Sequence, residues 1–428
     1  MSLQLSTRAR VGILLVLGLA LSLSIALAAG LGASGAAGNV PPPPTARPTD
    51  LGASLITQRT YPSLSYGIQA FLWWNQTTRP RDLELVRLMR FDYVKQIFDW
   101  NDIRADANQP YNWEHADAVV KEVQYRKLKL IARIGKPPHW ALTPADPQSP
   151  YDLKALATFC HDLAARYKGQ IAGYQVWNEP NLAREWQGHP PNPAGYVAML
   201  RACYTAIKEA DPNAVVISAG LATTGTYSPI AMPDEQFLTE MYRAGFAAYY
   251  DVLGLHAPGY KSPPEMPPDD PSLDGNRWMS FRHVEDMRAI QVANGDGKKQ
   301  IAILEVGWTT DTRDKIKDPN DPGGKLIDNP YRWHAVTDDQ QAEYLVRAYE
   351  YAAQHWRPWV GLMVTIYLPD VGWTQDDEEY WWAIGLPGYN FYGRRAFTDL
   401  ADMARYTDDQ FIPARKPGTL TTPLPAPK

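Results

Sequence analysis

The stretch "IAGYQVWNEPN", residues 171–181, has the pattern that decides the fold, because an apolar run of strand length ends there in a polar turn. Seven other runs of this kind occur, so that the candidate strands are Tyr66–Phe71, Tyr93–Phe98, Leu128–Ile134, Ile171–Trp177, Ala214–Leu221, Val252–His256, Ile301–Val306 and Val360–Tyr367. Segments with helical spacing of apolar residues lie between them: Leu83–Arg90, Ala116–Arg126, Leu153–Tyr167, Ala194–Ala210, Glu235–Ala244, Phe281–Ala293 and Asp338–Gln354. The alternation predicts parallel strands joined by crossover helices.

Eight strands within roughly 350 residues favour a single-domain (β/α)8 barrel with long loop insertions, the longest before the seventh and eighth strands. An open doubly wound sheet is the alternative. It would place a glycine-rich phosphate turn after the first strand, where the chain instead has "GIQAFLWW", residues 67–74. In a barrel, functional residues lie on the loops that follow the carboxyl ends of the strands.

The composition excludes several classes of protein. The chain has 428 residues, of which 45% are hydrophobic and 21% charged, and its net charge is −5. It therefore has ample material for a core and no basic excess for binding nucleic acid. Fifteen Trp and 24 Tyr residues indicate flat surfaces that stack on sugar rings. Cys160 and Cys203 can pair in an oxidising compartment, but we expect two buried free thiols.

The two ends of the chain differ in composition from the middle. Residues 1–38 contain Arg8 and Arg10 followed by the apolar run Val11–Ala29, which predicts either a signal peptide or an N-terminal membrane anchor. In both cases the protein is exported, and it is either secreted or held at the outer face of the cytoplasmic membrane. Residues 39–60 read as a Pro-rich linker, 61–412 as the folded domain, and 413–428 as a Pro-rich disordered tail.

Two glutamates stand at predicted strand ends. Glu179 follows the fourth strand, and Glu305 is the lone carboxylate in "IAILEVGWTT", residues 301–310, at the end of the seventh. An ionised group in such an apolar run is costly unless it faces the barrel mouth, across which these two strands oppose each other. Cleavage of a glycosidic bond needs one carboxyl group to protonate the leaving oxygen and a second to attack or stabilise the anomeric carbon. The pair therefore indicates glycosidase chemistry.

This pattern resembles the clan A glycoside hydrolases, most closely their family 39-like and cellulase-like members. Two further segments are similar to the clan: "FDYVKQIFDWNDI", residues 91–103, on the second strand, and "LGLHAPGY", residues 253–260, which supplies His256 on the sixth. Two positions depart from it, since Lys95 stands where Arg is more usual and Tyr367 where many members carry Trp.

The resemblance implies a retaining, two-step mechanism in which Glu305 is the nucleophile and Glu179 the acid/base. It also implies carboxyl groups about 5 to 5.5 Å apart. Glu179 should then have the higher pKa of the two, and Lys95 should help to keep Glu305 ionised.

The expected substrate is a β-linked polysaccharide or oligosaccharide. Residues at or near the strand ends are candidates to bind it: Asn178, His256, Lys95, Trp140, Trp308, Tyr260 and Trp74. Asn178 can instead shape the turn before Pro180, and His256 can be structural. A segment with Trp373, Trp381 and Trp382 could form one wall of the cleft.

No cofactor and no metal site are expected. The acidic stretch with Asp318, Asn320, Asp321 and Asp328 lacks the pattern of a calcium-binding loop and is predicted to be a solvated insertion. A transglycosylase would use the same residues, and a non-catalytic carbohydrate-binding cell-envelope protein is the alternative outside the enzyme class.

Overall fold

The computed structural model describes residues 51–416 except 63, 147, 319, 320, 322 and 408, so the predicted N-terminal signal or anchor and the last twelve residues lie outside it. Eight parallel strands form one sheet: β1 Ser65–Gln69, β2 Tyr93–Asp99, β3 Lys129–Gly135, β4 Gly173–Val176, β5 Val216–Ile217, β6 Leu253–Pro258, β7 Ile301–Gly307 and β8 Val360–Thr365. Their order is β5-β4-β3-β2-β1-β8-β7-β6, and a parallel bridge from Ile217 to Val252 joins β5 to β6. The predicted (β/α)8 barrel is confirmed.

A helix follows each strand: α1 Arg79–Leu88, α2 Glu114–Tyr125, α3 Leu153–Arg166, α4 Pro193–Ala210, α5 Asp234–Arg243, α6 Val284–Ala293, α7 Asp338–His355 and α8 Arg395–Asp402. Seven of them overlap the predicted helical segments, whereas the sequence analysis did not identify α8. At the start of α7, Thr337 and Gln340 form a reciprocal capping box. Strand β5 is much shorter than predicted, because the chain leaves the sheet after Ile217.

Among the described residues, the core has two main parts and two small clusters near the surface segments. The larger lies between the sheet and the surrounding helices. The smaller fills the barrel interior and consists of Tyr61, Tyr93, Ile131, Ile217, Val252, Ala302, Leu304, Leu362 and Val364. Because these side chains fill the lower part of the barrel, the open space for a ligand lies at the opposite end, where the strands finish.

Residues 51–60, which the composition assigns to the linker, contact the barrel. Arg288 of α6 is fully buried and donates hydrogen bonds to the carbonyl oxygens of Leu51 and Gly52, at 2.9 and 3.3 Å. The same guanidinium also bonds the carbonyls of Gly297 and Lys299. The folded unit therefore begins before Tyr61, the start that the sequence analysis predicts.

Three long segments surround the barrel mouth. Residues 259–283 follow β6, 308–337 follow β7, and 366–394 follow β8. The first two are the predicted insertions. The second contains the hairpin Lys315–Lys317 with Leu326–Asp328, in which Lys315 pairs with Asp328 on the surface. The acidic residues predicted to be solvated belong to this region, although Asn320 lies outside the described residues.

Cys160 of α3 and Cys203 of α4 form a disulfide, with their Cα atoms 5.4 Å apart. The expectation of two free thiols is therefore wrong. The sequence places the two cysteines on neighbouring helices, but the helix faces on which they lie depend on how α3 and α4 pack together. In the described part of the chain, no helix combines the length and apolarity that a bilayer crossing requires.

Candidate active site

A cavity of about 320 Å³ opens at the carboxyl ends of the strands. Its charged lining residues are Asp99, Arg133, Lys136, Glu179, Arg184, Glu305, Asp370, Glu378 and Glu379. Its aromatic lining residues are Phe71, Trp73, Trp74, Tyr367, Trp373 and Trp382. A sugar ring in this space would meet flat apolar faces and many polar groups, which is the combination that carbohydrates require.

Glu179 stands in a sharp turn just after β4. Trp177 and Glu179 both have left-handed backbone conformations, with φ of 72° and 43°. Such conformations are unfavourable for residues with side chains and tend to occur at functional sites. The Glu179 amide donates to the carbonyl of Gly220 at 2.9 Å, which fixes the turn against the chain after β5.

Glu305 lies within β7 and is held from below by Lys95 of β2. The Lys95 ammonium, which is fully buried, donates to Glu305 Oε1 at 3.0 Å and to the carbonyl of Leu304 at 2.9 Å. Arg133 of β3 lies 3.9 Å from the same carboxylate oxygen. Two positive charges therefore face Glu305 and favour its ionised form.

His256 of β6 lies between the two glutamates. Its Nδ1 is 3.1 Å from Glu179 Oε1 and 3.7 Å from Glu305 Oε2. The imidazole nitrogen and one oxygen from each carboxylate all lie within 4.8 Å of one another. The predicted meeting of Glu179 and Glu305 across the barrel mouth is therefore present in the structure.

Two glycines allow the aromatic rings around the site to approach closely. A Cβ atom on Gly220 would lie 2.1 Å from His256 Cδ2, so that only glycine leaves room for this imidazole. A Cβ atom on Gly259 would lie 1.9 Å from the indole of Trp308. The first of these contacts determines where His256 can stand relative to Glu179.

The charges around Glu179 lower its pKa. Burial raises the pKa of this carboxyl, but Arg184, the hydrogen bond with His256 and the charge of Arg133 together lower it to about 2. The Arg184 guanidinium contacts Glu179 Oε2 directly. From the sequence, Glu179 is predicted to have the higher pKa of the two glutamates, raised by the charge of Glu305. Its pKa is instead lowered, because it pairs with Arg184, a residue that the sequence did not single out.

The pKa of Glu305 is also lowered. Burial raises it and the negative charge of Glu179 adds to that effect, but His256, Lys95 and Arg133 outweigh both. Burial lowers the pKa of Lys95 to about 8, although Glu305 partly offsets this effect. The expected pairing of Lys95 with Glu305 is therefore present, and Lys95 remains mostly protonated at neutral pH.

The two carboxylates and His256 are spaced closely enough to surround a cation. Lys95 and Arg184 already contact these carboxylates, and Arg133 lies next to them. A divalent ion would be repelled by these fixed charges, so we assign no metal to this position. The other such group, Glu235, His283 and Asp286, includes a carboxylate that Arg277 already binds through two hydrogen bonds.

The predicted substrate-binding residues divide into two groups. Asn178, His256 and Trp74 line the cavity, and Trp74 is 48% exposed. Lys95, Trp140, Trp308 and Tyr260 are not among the lining residues.

Those four side chains instead support the walls. Trp140 donates to the carbonyl of Arg104, and Trp308, fully buried, donates to the carbonyl of Ser262. The Tyr260 hydroxyl lies 2.8 Å from the hydroxyl of Thr223, which does line the cavity. Strand ends carry both cavity-lining and supporting residues, and sequence position alone does not separate them.

Several lining residues were missed by the sequence analysis. Arg133 and Lys136 follow from the barrel rule, because they stand at the end of the third predicted strand, and their charge was the available signal. Arg184 lies five residues after Glu179, in a turn. Glu378 and Glu379 belong to the long segment after β8, whose path depends on tertiary packing. Of the three Trp residues proposed to form a wall, Trp373 and Trp382 line the cavity and Trp381 does not.

Comparison with solved structures supports the same architecture. The chain is similar to a family 39 glycoside hydrolase from Bacteroides cellulosilyticus WH2, with a TM-score of 0.55 and 16% identity over 80% of this chain and 63% of that one. It is also similar to a monomeric beta-xylosidase from Caulobacter crescentus CB15, with a TM-score of 0.53 and 17% identity over 81% and 69% of the two chains. The chain has the fold of these glycoside hydrolases.

A GH10 endoxylanase from a sugarcane soil metagenome has a TM-score of 0.50 and 16% identity, over 80% of this chain and 97% of its own. The match with the family 39 enzyme described above, by contrast, spans less than two thirds of that protein's length. No family model matches the sequence, and no curated protein matches it.

Proposed function

We propose that this protein is a retaining glycoside hydrolase that cleaves the O-glycosidic bonds of a β-linked polysaccharide or oligosaccharide. The observation that carries the proposal is the close approach of the two glutamates, since one carboxylate oxygen of Glu179 lies within 4.8 Å of one of Glu305. Retaining enzymes hold their carboxyl groups about 5 to 5.5 Å apart, whereas inverting enzymes need roughly 6.5 to 9.5 Å to admit a water molecule. The xylosidase and xylanase among the similar structures are consistent with a β-linked substrate.

In the proposed reaction, the Glu305 carboxylate attacks the anomeric carbon while the bond to the leaving oxygen breaks and Glu179 donates a proton to that oxygen. Water then attacks the anomeric carbon, Glu179 accepts its proton, and the bond to Glu305 breaks. Lys95 and Arg133 stabilise Glu305 when it is ionised. Asn178 and the aromatic walls orient the sugar.

The test uses phenyl and 2,4-dinitrophenyl β-glycosides together with β-glucans, xylans, mannans and bacterial exopolysaccharides. Glu305→Gln should reduce turnover of all of them by about 10³-fold or more. Glu179→Gln should reduce turnover of the phenyl glycoside far more than that of the dinitrophenyl glycoside, whose leaving group needs no proton. NMR of the first product should show the anomeric configuration of the substrate. An inverted product, or equal turnover in the variants, would contradict the assignment.

One observation favours the non-catalytic alternative. The ion pair between Glu179 and Arg184 favours the ionised form of the proposed acid, which a protein that only binds sugars could tolerate. Binding of these polysaccharides without release of reducing ends from any of them would support that function instead.

We also propose that the protein is exported. The Cys160–Cys203 disulfide supports this, because such bonds persist mainly in oxidising compartments. Fractionation of producing cells, with and without residues 1–38, tests whether that segment directs export.

A further inference from the structure

Arg184 occupies an unusual position for a residue so close to a proposed general acid. It belongs to a short turn, Ala183–Trp186, that begins four residues after Glu179, and its side chain is only 16% exposed. Its guanidinium contacts Glu179 Oε2. The group that is proposed to donate a proton is therefore held by a strong partner of its ionised form.

The same guanidinium has other carboxylates within reach. Its Nε lies 3.7 Å from Glu185 Oε1, and the charge of Glu378 also acts on it. Glu378 and Glu379 line the cavity together with Arg184, and Trp382 donates to one oxygen of Glu378 at 3.0 Å. Arg184 thus contacts the proposed acid and also interacts electrostatically with an acidic group, Glu185, Glu378 and Glu379.

Resting on the function proposed above, we propose that Arg184 is a movable counter-ion and a positioning residue. Arg184 holds Glu179 through the contact described above and transfers to the acidic group when a glycoside enters. Glu179 then takes up from solvent the proton that it later donates. No bond is made or broken in this step apart from the transfer of that proton.

Electrostatics around Glu179 agree with this arrangement. Groups from the neighbouring elements also act on it or respond to its charge: Lys95, Arg133, Glu185, His256, Tyr260, Glu305 and Tyr367. If Arg184 moves away, burial and the charge of Glu305 both act to raise the pKa of Glu179. Burial also raises the pKa of Glu379 to about 7, so an approaching cation would favour its ionised form.

The experiment compares the pH dependence of kcat/KM, which reports the free protein, with that of kcat, which reports the complex. With phenyl β-D-glucoside and β-D-xyloside as probes, the alkaline limb of kcat should lie at least about one pH unit above that of kcat/KM in the full chain. Arg184→Met should bring the limbs together and raise kcat/KM at pH 7 by about tenfold or more, because each unit of pKa changes the protonated fraction tenfold. For the 2,4-dinitrophenyl glycosides, which need no acid, kcat/KM should rise far less than for the phenyl glycosides.

Glu378→Gln is the matched variant of opposite sign. It removes one of the charges that would attract Arg184 away from Glu179, so kcat/KM at pH 7 should fall by a larger factor for the phenyl glycosides than for the dinitrophenyl glycosides. Arg184→Lys should restore the separation of the limbs. If Arg184 has a purely structural role, Arg184→Met should lower kcat/KM alike for both kinds of substrate and leave the alkaline limbs in place, which would overturn the proposal. Coinciding alkaline limbs of kcat and kcat/KM in the unmodified chain would also overturn it.

An NMR titration keeps this inference separate from the proposed function. In protein labelled with 13C at glutamate carboxyls, the signal lost in Glu179→Gln should show no titration between about pH 4 and 8, and Arg184→Met should bring its titration into that range. If no glycoside is turned over but this shift occurs, the hydrolase proposal fails and the hold of Arg184 on Glu179 stands. If glycosides are turned over but the titration does not shift, the hydrolase proposal stands and the proposed role of Arg184 fails.

Discussion

At the scale of single residues, Lys95 acts on the ionisation of Glu305, the proposed nucleophile, without lining the cavity itself. Its ammonium lies beneath Glu305, fully buried, and supplies the positive charge nearest that carboxylate. Loss of this charge should raise the pKa of Glu305, because burial and Glu179 both disfavour its ionised form.

We therefore expect Lys95→Met to move the acidic limb of kcat/KM to higher pH by about one unit or more. The 2,4-dinitrophenyl glycosides are the appropriate probe, since with them the limb reports the ionisation of Glu305 alone. Lys95→Arg keeps the charge and should leave the limb near its original pH. An unmoved limb in Lys95→Met would show that Arg133 and His256 suffice.

Some residues of the site could be predicted from the sequence and others could not. Glu179 and Glu305 could be found because a carboxylate at the end of an apolar strand needs a reason to be there. The position of Lys95 in the second strand made it a candidate, but the sequence did not predict that it would be buried beneath the site. Arg184 and Glu378 lie in irregular segments, whose side-chain directions depend on packing that no periodicity encodes.

At the scale of elements, His283 joins the segment after β6 to helix α5. Its ring lies 3.0 Å from Asp234 and 3.1 Å from Asp286, and it is buried. Burial lowers the pKa of His283, but these carboxylates outweigh it and raise the pKa well above its usual value. The protonated ring therefore stabilises the fold most at pH values below the ordinary histidine pKa, and this stabilisation is lost as the pH rises through the raised value.

The measurement is the free energy of unfolding in urea at about pH 6 and pH 9, a range that spans the usual histidine pKa. The unmodified protein should lose stability between the two, and His283→Gln should lose less. His161→Gln, at a half-exposed position on α3, serves as the control. An equal change in both proteins would show that other groups dominate the alkaline side.

The disulfide is a second constraint between elements. Cys160 and Cys203 are separated by 43 residues, so their bond restricts a long loop of the unfolded chain. Reduction should lower the free energy of unfolding by about 2 to 4 kcal/mol. The double variant Cys160→Ala/Cys203→Ala should unfold at one urea concentration with or without reductant. A reductant effect of the same size in that variant would mean that the disulfide is not its cause.

At the scale of the whole molecule, the cavity and the contacts of residues 51–52 lie at opposite ends of the barrel. The cavity opens where the strands finish, whereas Arg288 joins residues 51–52 to the base through carbonyl hydrogen bonds. The (β/α)8 topology and most helices follow from sequence periodicity, since each strand and helix is decided locally. The packing of residues 51–60 does not follow from sequence periodicity, because their composition is that of a linker. Arg288, which binds the first two of them, could be identified as their partner only from the structure.

We expect Arg288→Met to lower the free energy of unfolding by about 2 to 4 kcal/mol, because it leaves several buried carbonyl groups without donors. Its kcat/KM should stay within about twofold of the unmodified protein, since the base of a barrel contributes to stability and the mouth to chemistry. Arg87→Met, on the exposed face of α1, should change neither quantity. A large loss of activity at full stability would contradict this separation.

The contact between Gly220 and His256 has a consequence for natural variation of this chain. Gly220 contributes no charge, hydrogen-bonding side chain or apolar surface, yet a single added methyl group there would overlap the imidazole. Because that imidazole lies against both glutamates, Gly220→Ala would displace the ring without removing any group that takes part in the proposed reaction. A sequence can therefore keep every glutamate, histidine and lysine of this site and still lose its geometry through its smallest residue.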